Sequence, residues 1–300
     1  MIPRIKSLYY VIKSTRNWLD ALFVRYGNKK ECNLVFRNGY QFHLTQKNWQ
    51  EYILHTHLFA ILPSAELTSE SIAFKYNGRR LNFNFGKYGF STIFEIFAHD
   101  PYRNYLKITN PKGKRVVDIG AAFGDTAIYF LMKGASSVVA IEAFPGYFKF
   151  AEQNIRNNGF SDRCNLLLSA VGGESGSMVI DPNSEDMFGA NFKKPDSGQT
   201  VPVITLSDIV NKFQIENGFL KVDTEGYEYD IILKTPKNIL RNFSDILIEY
   251  HYGPERLEKY LTECGYSFFK TEPTHVYVPQ LVNDEARNMY AGHIVAKRID

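Results

Sequence analysis

Acidic residues stand where the apolar runs of this chain stop. Val116 and Val117 lead to Asp118, Val138 to Ile141 lead to Glu142, and Phe219 to Val222 lead to Asp223. Ile246 to Ile248 lead to Glu249-Tyr250-His251. Asp125 follows Gly120 and Gly124, so a glycine turn separates the first apolar run from Thr126, Ala127, Ile128 and Leu131, which fall at helical spacing. Such a turn offers bare backbone and the positive end of a helix at one sheet edge. Glu142 lies about twenty residues past Gly120, the usual offset for a carboxylate that holds two ribose hydroxyls.

Charge separates the candidate ligands. A dinucleotide brings two phosphates and a fingerprint of three glycines, GxGxxG. Here the second glycine is Ala122 and the third is Asp125, which would set a carboxylate against the phosphates. S-adenosylmethionine carries a sulfonium and an ammonium and no phosphate. Two cationic centres among Asp118, Asp125, Glu142 and Asp223 are favourable, whereas two phosphates there are not.

Methyl transfer from a sulfonium is an in-line displacement with a neutral leaving group. It needs alignment and dryness rather than an acid. An alcohol acceptor must lose a proton, and a positioned base helps. His251 is the candidate on the strength of its unperturbed pKa, with Asp223 and Glu225 as rivals. Asp223, Glu225, Glu228 and Asp230 also resemble a hard-cation cluster. Acids at a helix start that cap its free N–H groups are the simpler explanation, so no metal is assigned. His55 and His57 lack a third ligand and are expected to be a packed or an exposed pair rather than a metal site.

The elements that must position these residues alternate. Strands are expected at 116–119, 138–141, 165–168, 219–222 and 246–248, with helices after Thr126, Pro145, Leu206, Ile231 and Pro254. Alternating strands and helices predict a parallel sheet wrapped on both faces. Tyr266–Phe269 and His293–Ala296 are late strands, and 178–180 and 201–203 short edge strands around a polar loop, Asp181 to Gly198. Phe188, Gly189, Asn191 and Phe192 in that loop are placed to close over a substrate.

Ahead of the sheet, residues 1–30 read as a helix and Asn38-Gly39 and Asn77-Gly78 each read as a hairpin turn with two positive-φ positions. A helix is expected between them, around Trp49 to Leu62, and another over Ile93–Phe97, stopped by Pro101. The division is thus a helix and hairpin cap at 1–110 and a ligand-binding domain at 111–300. Trp49, Tyr52 and Phe90 of the cap are candidates to stack on a sugar face.

The chain has 300 residues, 44% hydrophobic and 22% charged, with a net charge of +3. That balance is ordinary for a globular protein and gives no case for nucleic acid. Cys32, Cys164 and Cys264 form no metal or disulfide spacing, which fits a reducing, cytoplasmic setting. In the N-terminal helix Arg4, Lys6, Lys13, Arg16 and Arg25 interrupt every apolar run, against a cleaved signal peptide. The same pattern suits packing on another surface or peripheral attachment to a membrane.

GAAFGDTAIYF, VVAIEAFPGYF, NIRNNG, SAVGG, the Leu220–Leu233 stretch with Asp223-Thr-Glu225-Gly226-x-Glu228, and ILIEYH occur in this order. Together they resemble the FkbM family of S-adenosylmethionine-dependent methyltransferases over residues 90 to 298, while the first ninety show no match. The resemblance implies an α/β, Rossmann-like fold with a seven-stranded, mostly parallel sheet and an antiparallel last strand. It implies S-adenosyl-L-methionine as cofactor and methylation of an oxygen on a sugar or polyketide-type molecule. It places Asp118, Gly120, Ala121, Phe123 and Gly124 in the cofactor loop, Glu142 on the ribose, Ala143 and Phe144 beside the adenine, and Ser169 and Ala170 at its edge. Tyr102 is a candidate for the methionine end. The expected function is O-methylation of a small molecule or glycan, with an acceptor site between the sheet edge, the cap and the 181–198 loop. An NAD-dependent oxidoreductase and a non-catalytic scaffold are the alternatives.

Overall fold

The computed structural model describes residues 4–86, 89–180, 198–277 and 288–299. It comprises two compact units, Met1–Asp100 and Pro101–Asp300.

In the first unit the expected N-terminal helix is two helices, α1 (Arg4–Ser14) and α2 (Trp18–Arg25). The break has a local cause. Thr15 bridges to Phe36, and the Arg16 N–H donates to the Val35 carbonyl at 2.8 Å, so the chain is drawn onto strand β1 (Glu31–Val35). β1 pairs with β2 (Gln41–Thr45), and helix α3 (Trp49–Ile61) and β3 (Glu66–Leu67) follow. β3 continues into the hairpin β4 (Ser71–Tyr76) and β5 (Arg79–Asn84). At the second Asn-Gly both residues are left-handed, Asn77 at φ 47° and Gly78 at φ 81°. At the first only Gly39 is (φ 93°), because the Asn38 carboxamide folds back to accept from the Tyr40 N–H and donates to the Ala65 carbonyl. Helix α4 (Ser91–Phe94) runs into a wider turn at Glu95–His99 and ends at Asp100 (φ 48°), before Pro101.

The cap aromatics proposed for sugar stacking mostly face inward. Tyr52 and Phe90 are buried, Tyr52 with its hydroxyl 3.1 Å from that of Thr15, and half-buried Trp49 carries the Arg25 guanidinium over its ring. Their surface is spent on the core of this unit. Of the two arrangements open to His55 and His57, the packed one is found, with His55 stacked on Tyr40 and His57 edge-on to Tyr10. Burial lowers the pKa of both rings.

The second unit alternates as the sequence does. Its elements are β6 (Arg115–Ile119), α5 (Asp125–Met132), β7 (Ser137–Glu142), α6 (Pro145–Asn157), β8 (Cys164–Leu168), β9 (Ala170–Val171), β10 (Gly176–Ile180) and β11 (Gln199–Ile204). There follow α7 (Leu206–Phe213), β12 (Gly218–Val222), α8 (Glu228–Lys234), α9 (Lys237–Leu240), β13 (Phe243–Tyr250), α10 (Glu255–Glu263), β14 (Tyr266–Lys270), β15 (Thr274–Tyr277) and β16 (Asn288–Arg298).

The main sheet runs β14-β16-β13-β12-β6-β7-β8, with β15 paired beside β16. β13, β12, β6, β7 and β8 are parallel, whereas β16 is antiparallel to both β13 and β14. This is the expected seven-stranded sheet with an antiparallel last strand, plus one short added strand. β6 and β12 sit at its centre in the register Phe219 to Val116 and Val222 to Ile119. Their side chains are buried throughout that register, as strands covered on both faces require. The pieces expected as edge strands, β10 and β11, instead form a small separate sheet with β9. The 181–197 part of the loop they flank, with Phe188, Gly189, Asn191 and Phe192, lies outside the described residues. Among the described residues no helix is long and apolar enough to cross a membrane.

Candidate functional site

A cavity of ≈ 350 Å³ opens at the carboxyl ends of β6, β7 and β12. Eight of the anticipated site residues line it: Gly120, Glu142, Ala143, Phe144, Ser169, Ala170, Asp223 and Glu225. The opposite wall is apolar, from Val171, Met178, Ile180 and Val203 of the small sheet. That wall comes from segments with no ligand signature in the sequence. Tyr147 and Tyr227 also line the cavity, although no local pattern in the sequence assigns either a role.

The turn after β6 is set by one close approach. A Cβ on Gly120 would lie 1.8 Å from the Asp223 carbonyl oxygen, so only glycine lets the two strand ends meet. Its N–H and that of Ala121 both donate to the Ile141 carbonyl at 3.0 Å. Gly124 serves packing, since a Cβ there would lie 3.3 Å from the Ala151 Cα on α6. Ala122 and Glu225, both facing the cavity, hold left-handed φ angles of 43° and 54° that non-glycine residues rarely adopt.

Glu142 ends β7 with its carboxylate turned back into this turn. One oxygen accepts from the Ala122 N–H and the other from the Phe144 N–H, each at 2.8 Å. Each oxygen keeps a lone pair for a further donor. Burial pushes its pKa up to about 7 against the pull of those N–H groups. Ser169 donates to the Pro202 carbonyl at 2.8 Å, so its hydroxyl oxygen is left to accept from a ligand amine.

Other anticipated residues do not reach the cavity. Asp118 is fully buried beneath it, 2.5 Å from the Thr126 hydroxyl and 3.2 Å from the Lys221 ammonium. Tyr102 is buried in an aromatic group with Phe130 and Tyr129. Burial pushes its hydroxyl pKa well up, with Asp223 and Glu249 adding to the shift. Phe123 packs edge-on to Tyr147, and Ala121 is buried. Asp125 is buried at the start of α5, and burial pushes its pKa to about 7.

Lys221 organises this floor. It lies in the middle of β12 and is 2% exposed. Its ammonium donates to the Gly120 carbonyl at 2.8 Å and stands 3.2 Å from Asp118 and 3.7 Å from Asp223. Burial alone would lower its pKa, but the two carboxylates outweigh burial and raise it. The only hint in the sequence was a single cation inside an otherwise apolar strand.

His251 is held between two carboxylates, Nε2 at 3.1 Å from Glu225 and Nδ1 at 3.1 Å from Glu228. Burial would lower its pKa, yet the paired carboxylates carry it well above its ordinary value. The expectation of an unperturbed imidazole therefore changes: the two carboxylates favour the protonated ring, with Nδ1 hydrogen-bonded to Glu228 and Nε2 in ion-pair range of Glu225. Asp223 differs. Burial and Glu249 hold its carboxyl well above the usual range, against the pull of Lys221, and it faces the cavity.

The acids grouped as a conceivable metal cluster divide. Glu228 accepts from the Thr224 and Gly226 N–H groups, and Asp230 is 2.8 Å from Lys234. Asp223, Glu225 and His251 each bring an atom within 4.8 Å of the others. The His251–Glu225 and His251–Glu228 pairs already engage both ring nitrogens of this group.

A family model described as Methyltransferase FkbM domain matches residues 118–268, just over half of the chain. The chain belongs to the FkbM methyltransferase family. Its methyl donor is S-adenosyl-L-methionine, as the resemblance implied. No curated protein matches its sequence. Among solved structures it is similar to methyltransferase FkbM from Methylobacillus flagellatus KT, at 15% identity over 61% of this chain and 43% of that one, with a TM-score of 0.42. It is also similar to M. capricolum TrmK in complex with S-adenosyl-homocysteine, at 15% identity over 65% of this chain and 66% of that one (TM-score 0.39). The ribosomal protein L11 methylase from Lactobacillus delbrueckii subsp. bulgaricus is similar at 14% identity over 66% and 76% of the chains (TM-score 0.37).

The cavity of this FkbM-family protein fits such a donor. Glu142, Asp223 and Glu225 line it, with Glu174 and Asp230 among the other lining residues. The cation among the lining residues, Lys234, is already paired with Asp230 and Glu174. A carboxylate-rimmed surface attracts a sulfonium and an ammonium, whose approach also favours ionisation of Glu142 and Asp223, and it repels a pyrophosphate.

Proposed function

We propose that this protein methylates a hydroxyl oxygen of a small molecule or sugar, with Asp223 receiving the hydroxyl proton. One observation carries this: a carboxylate of raised pKa faces the cavity beside Glu225, where the donor's cationic end is best accommodated. When bound, S-adenosyl-L-methionine supplies a methyl group on positively charged sulfur.

The side chains divide the remaining work. Glu142 holds the ribose hydroxyls through the lone pairs its backbone donors leave free. Ser169 accepts from the adenine amine, and Phe144 and Ala170 border the ring. Asp223, less acidic than an ordinary carboxylate, is a stronger base for an alcohol proton. His251 positions Glu225 and Glu228 rather than taking a proton itself.

Labelled S-adenosyl-L-methionine offered with panels of hydroxylated glycans, phenols and polyketide-type alcohols tests the proposal. An ether product from an alcohol supports it. Transfer to amines alone, with alcohols untouched, overturns it.

A further inference from the structure

The N-terminal helices carry an outer face that their own unit does not use. On α1, Val11 and Ser14 are buried, while Leu8, Tyr9 and Ile12 point outward. On α2, Ala21 and Val24 are buried, while Leu19, Phe23 and Tyr26, one helical stripe, point outward. These six large apolar side chains are 38% to 77% exposed. Single exposed apolar residues need no explanation, but two exposed stripes of three large apolar side chains on consecutive helices are more than scatter.

The charge around them is one-sided. Residues 1–30 hold seven Lys or Arg against one Asp, a net +6, whereas the whole chain is +3, so the other 270 residues sum to −3. Asp20, the one acid, is already paired with Lys29 at 2.5 Å. The cations stand beside the apolar groups, with the Lys13 ammonium 5.7 Å from the Tyr9 ring and that of Lys29 5.6 Å from the Phe23 ring. The Arg16 guanidinium donates to the Arg37 carbonyl at 3.3 Å, and the Arg37 guanidinium donates to the Ile12 carbonyl at 3.2 Å.

We propose that this face docks on an anionic lipid surface. Aromatic and aliphatic side chains flanked by lysine and arginine are what a headgroup layer with acidic lipids accommodates: the apolar groups enter the acyl boundary and the cations stay among the phosphates. A second copy of the chain fits poorly, because a two-fold contact of the face with itself sets like charges together. A nucleic acid would satisfy the cations and leave Leu8, Ile12, Leu19 and Phe23 against water.

Flotation of the full chain with vesicles tests the docking. Vesicles of phosphatidylcholine alone are compared with vesicles containing phosphatidylglycerol, at low and high salt. The chain should float with the acidic vesicles, weakly or not at all with neutral ones, and less as salt rises. The double variant Leu19→Glu, Phe23→Glu and, separately, Lys13→Glu should each weaken binding at least tenfold, with unchanged circular dichroism. A chain that stays in solution with acidic vesicles overturns the proposal, as does binding that survives both variants. A dimer dissolved by Phe23→Glu, or capture by RNA without capture by vesicles, overturns it equally.

Discussion

Nε2 of His251 lies 3.1 Å from Oε2 of Glu225, while the other ring nitrogen faces Glu228 at the same distance. The last residue of one strand-end motif is thus clamped to the loop after β12. A histidine in this position ties the loop after β12 to the end of β13, and the flanking carboxylates favour its protonated form.

The clamp has a pH signature. The folded-state pKa of His251 is raised, so its contribution to stability is complete below its unfolded value and fades as pH rises through the folded value. Thermal melts should fall as pH rises above about 6.5, and His251→Gln should flatten that limb. At about pH 6 the variant should be less stable by about 3 kcal/mol, because Glu228 loses its buried partner. Identical slopes for the two proteins would remove the clamp.

Lys221→Met should be more damaging than its position far from any surface suggests. The variant leaves Asp118, fully buried, without its cation and frees the Gly120 carbonyl. A loss of about 3–5 kcal/mol in urea unfolding is expected. A loss below about 1 kcal/mol would mean that Thr126 alone satisfies Asp118.

Glu142 should couple cofactor affinity to pH. Its pKa of about 7 lies above the ordinary value, so acid favours the empty protein and base favours the form that accepts ribose hydroxyls. Affinity for S-adenosylhomocysteine should rise as pH passes through about 7. Glu142→Gln should bind at least tenfold more weakly at alkaline pH, about 1.4 kcal/mol, and with a flatter profile. A wild-type profile flat across neutrality would contradict this assignment.

Asp223→Asn should separate chemistry from binding. The variant keeps the shape of the cavity and removes the base, so turnover should fall by about 10²-fold or more and S-adenosylhomocysteine affinity by much less. His251→Gln should lower turnover less than Asp223→Asn does. The reverse order would return the proton to His251.

Much of this arrangement was legible beforehand for a physical reason. Apolar runs of strand length ending in Asp118, Glu142 and Asp223 mark buried parallel strands, and ligands gather at their carboxyl ends. The offset from Gly120 to Glu142 then reflects one βα unit. What stayed hidden depends on contacts distant in sequence. Nothing local tells that Asp118 turns inward to Lys221, 3.2 Å away, or that Glu225 reaches His251. The apolar wall of Met178 and Val203 exists only once β10 and β11 pair beside β9. The break between α1 and α2 depends on Thr15 meeting Phe36.

Calorimetric titration of the purified chain with S-adenosylhomocysteine and, in parallel, with NADH addresses the centre of this account. Saturable binding of the thioether, lost in Glu142→Ala, with no heat from the dinucleotide, is the predicted result. Binding of NADH with none of S-adenosylhomocysteine would contradict it.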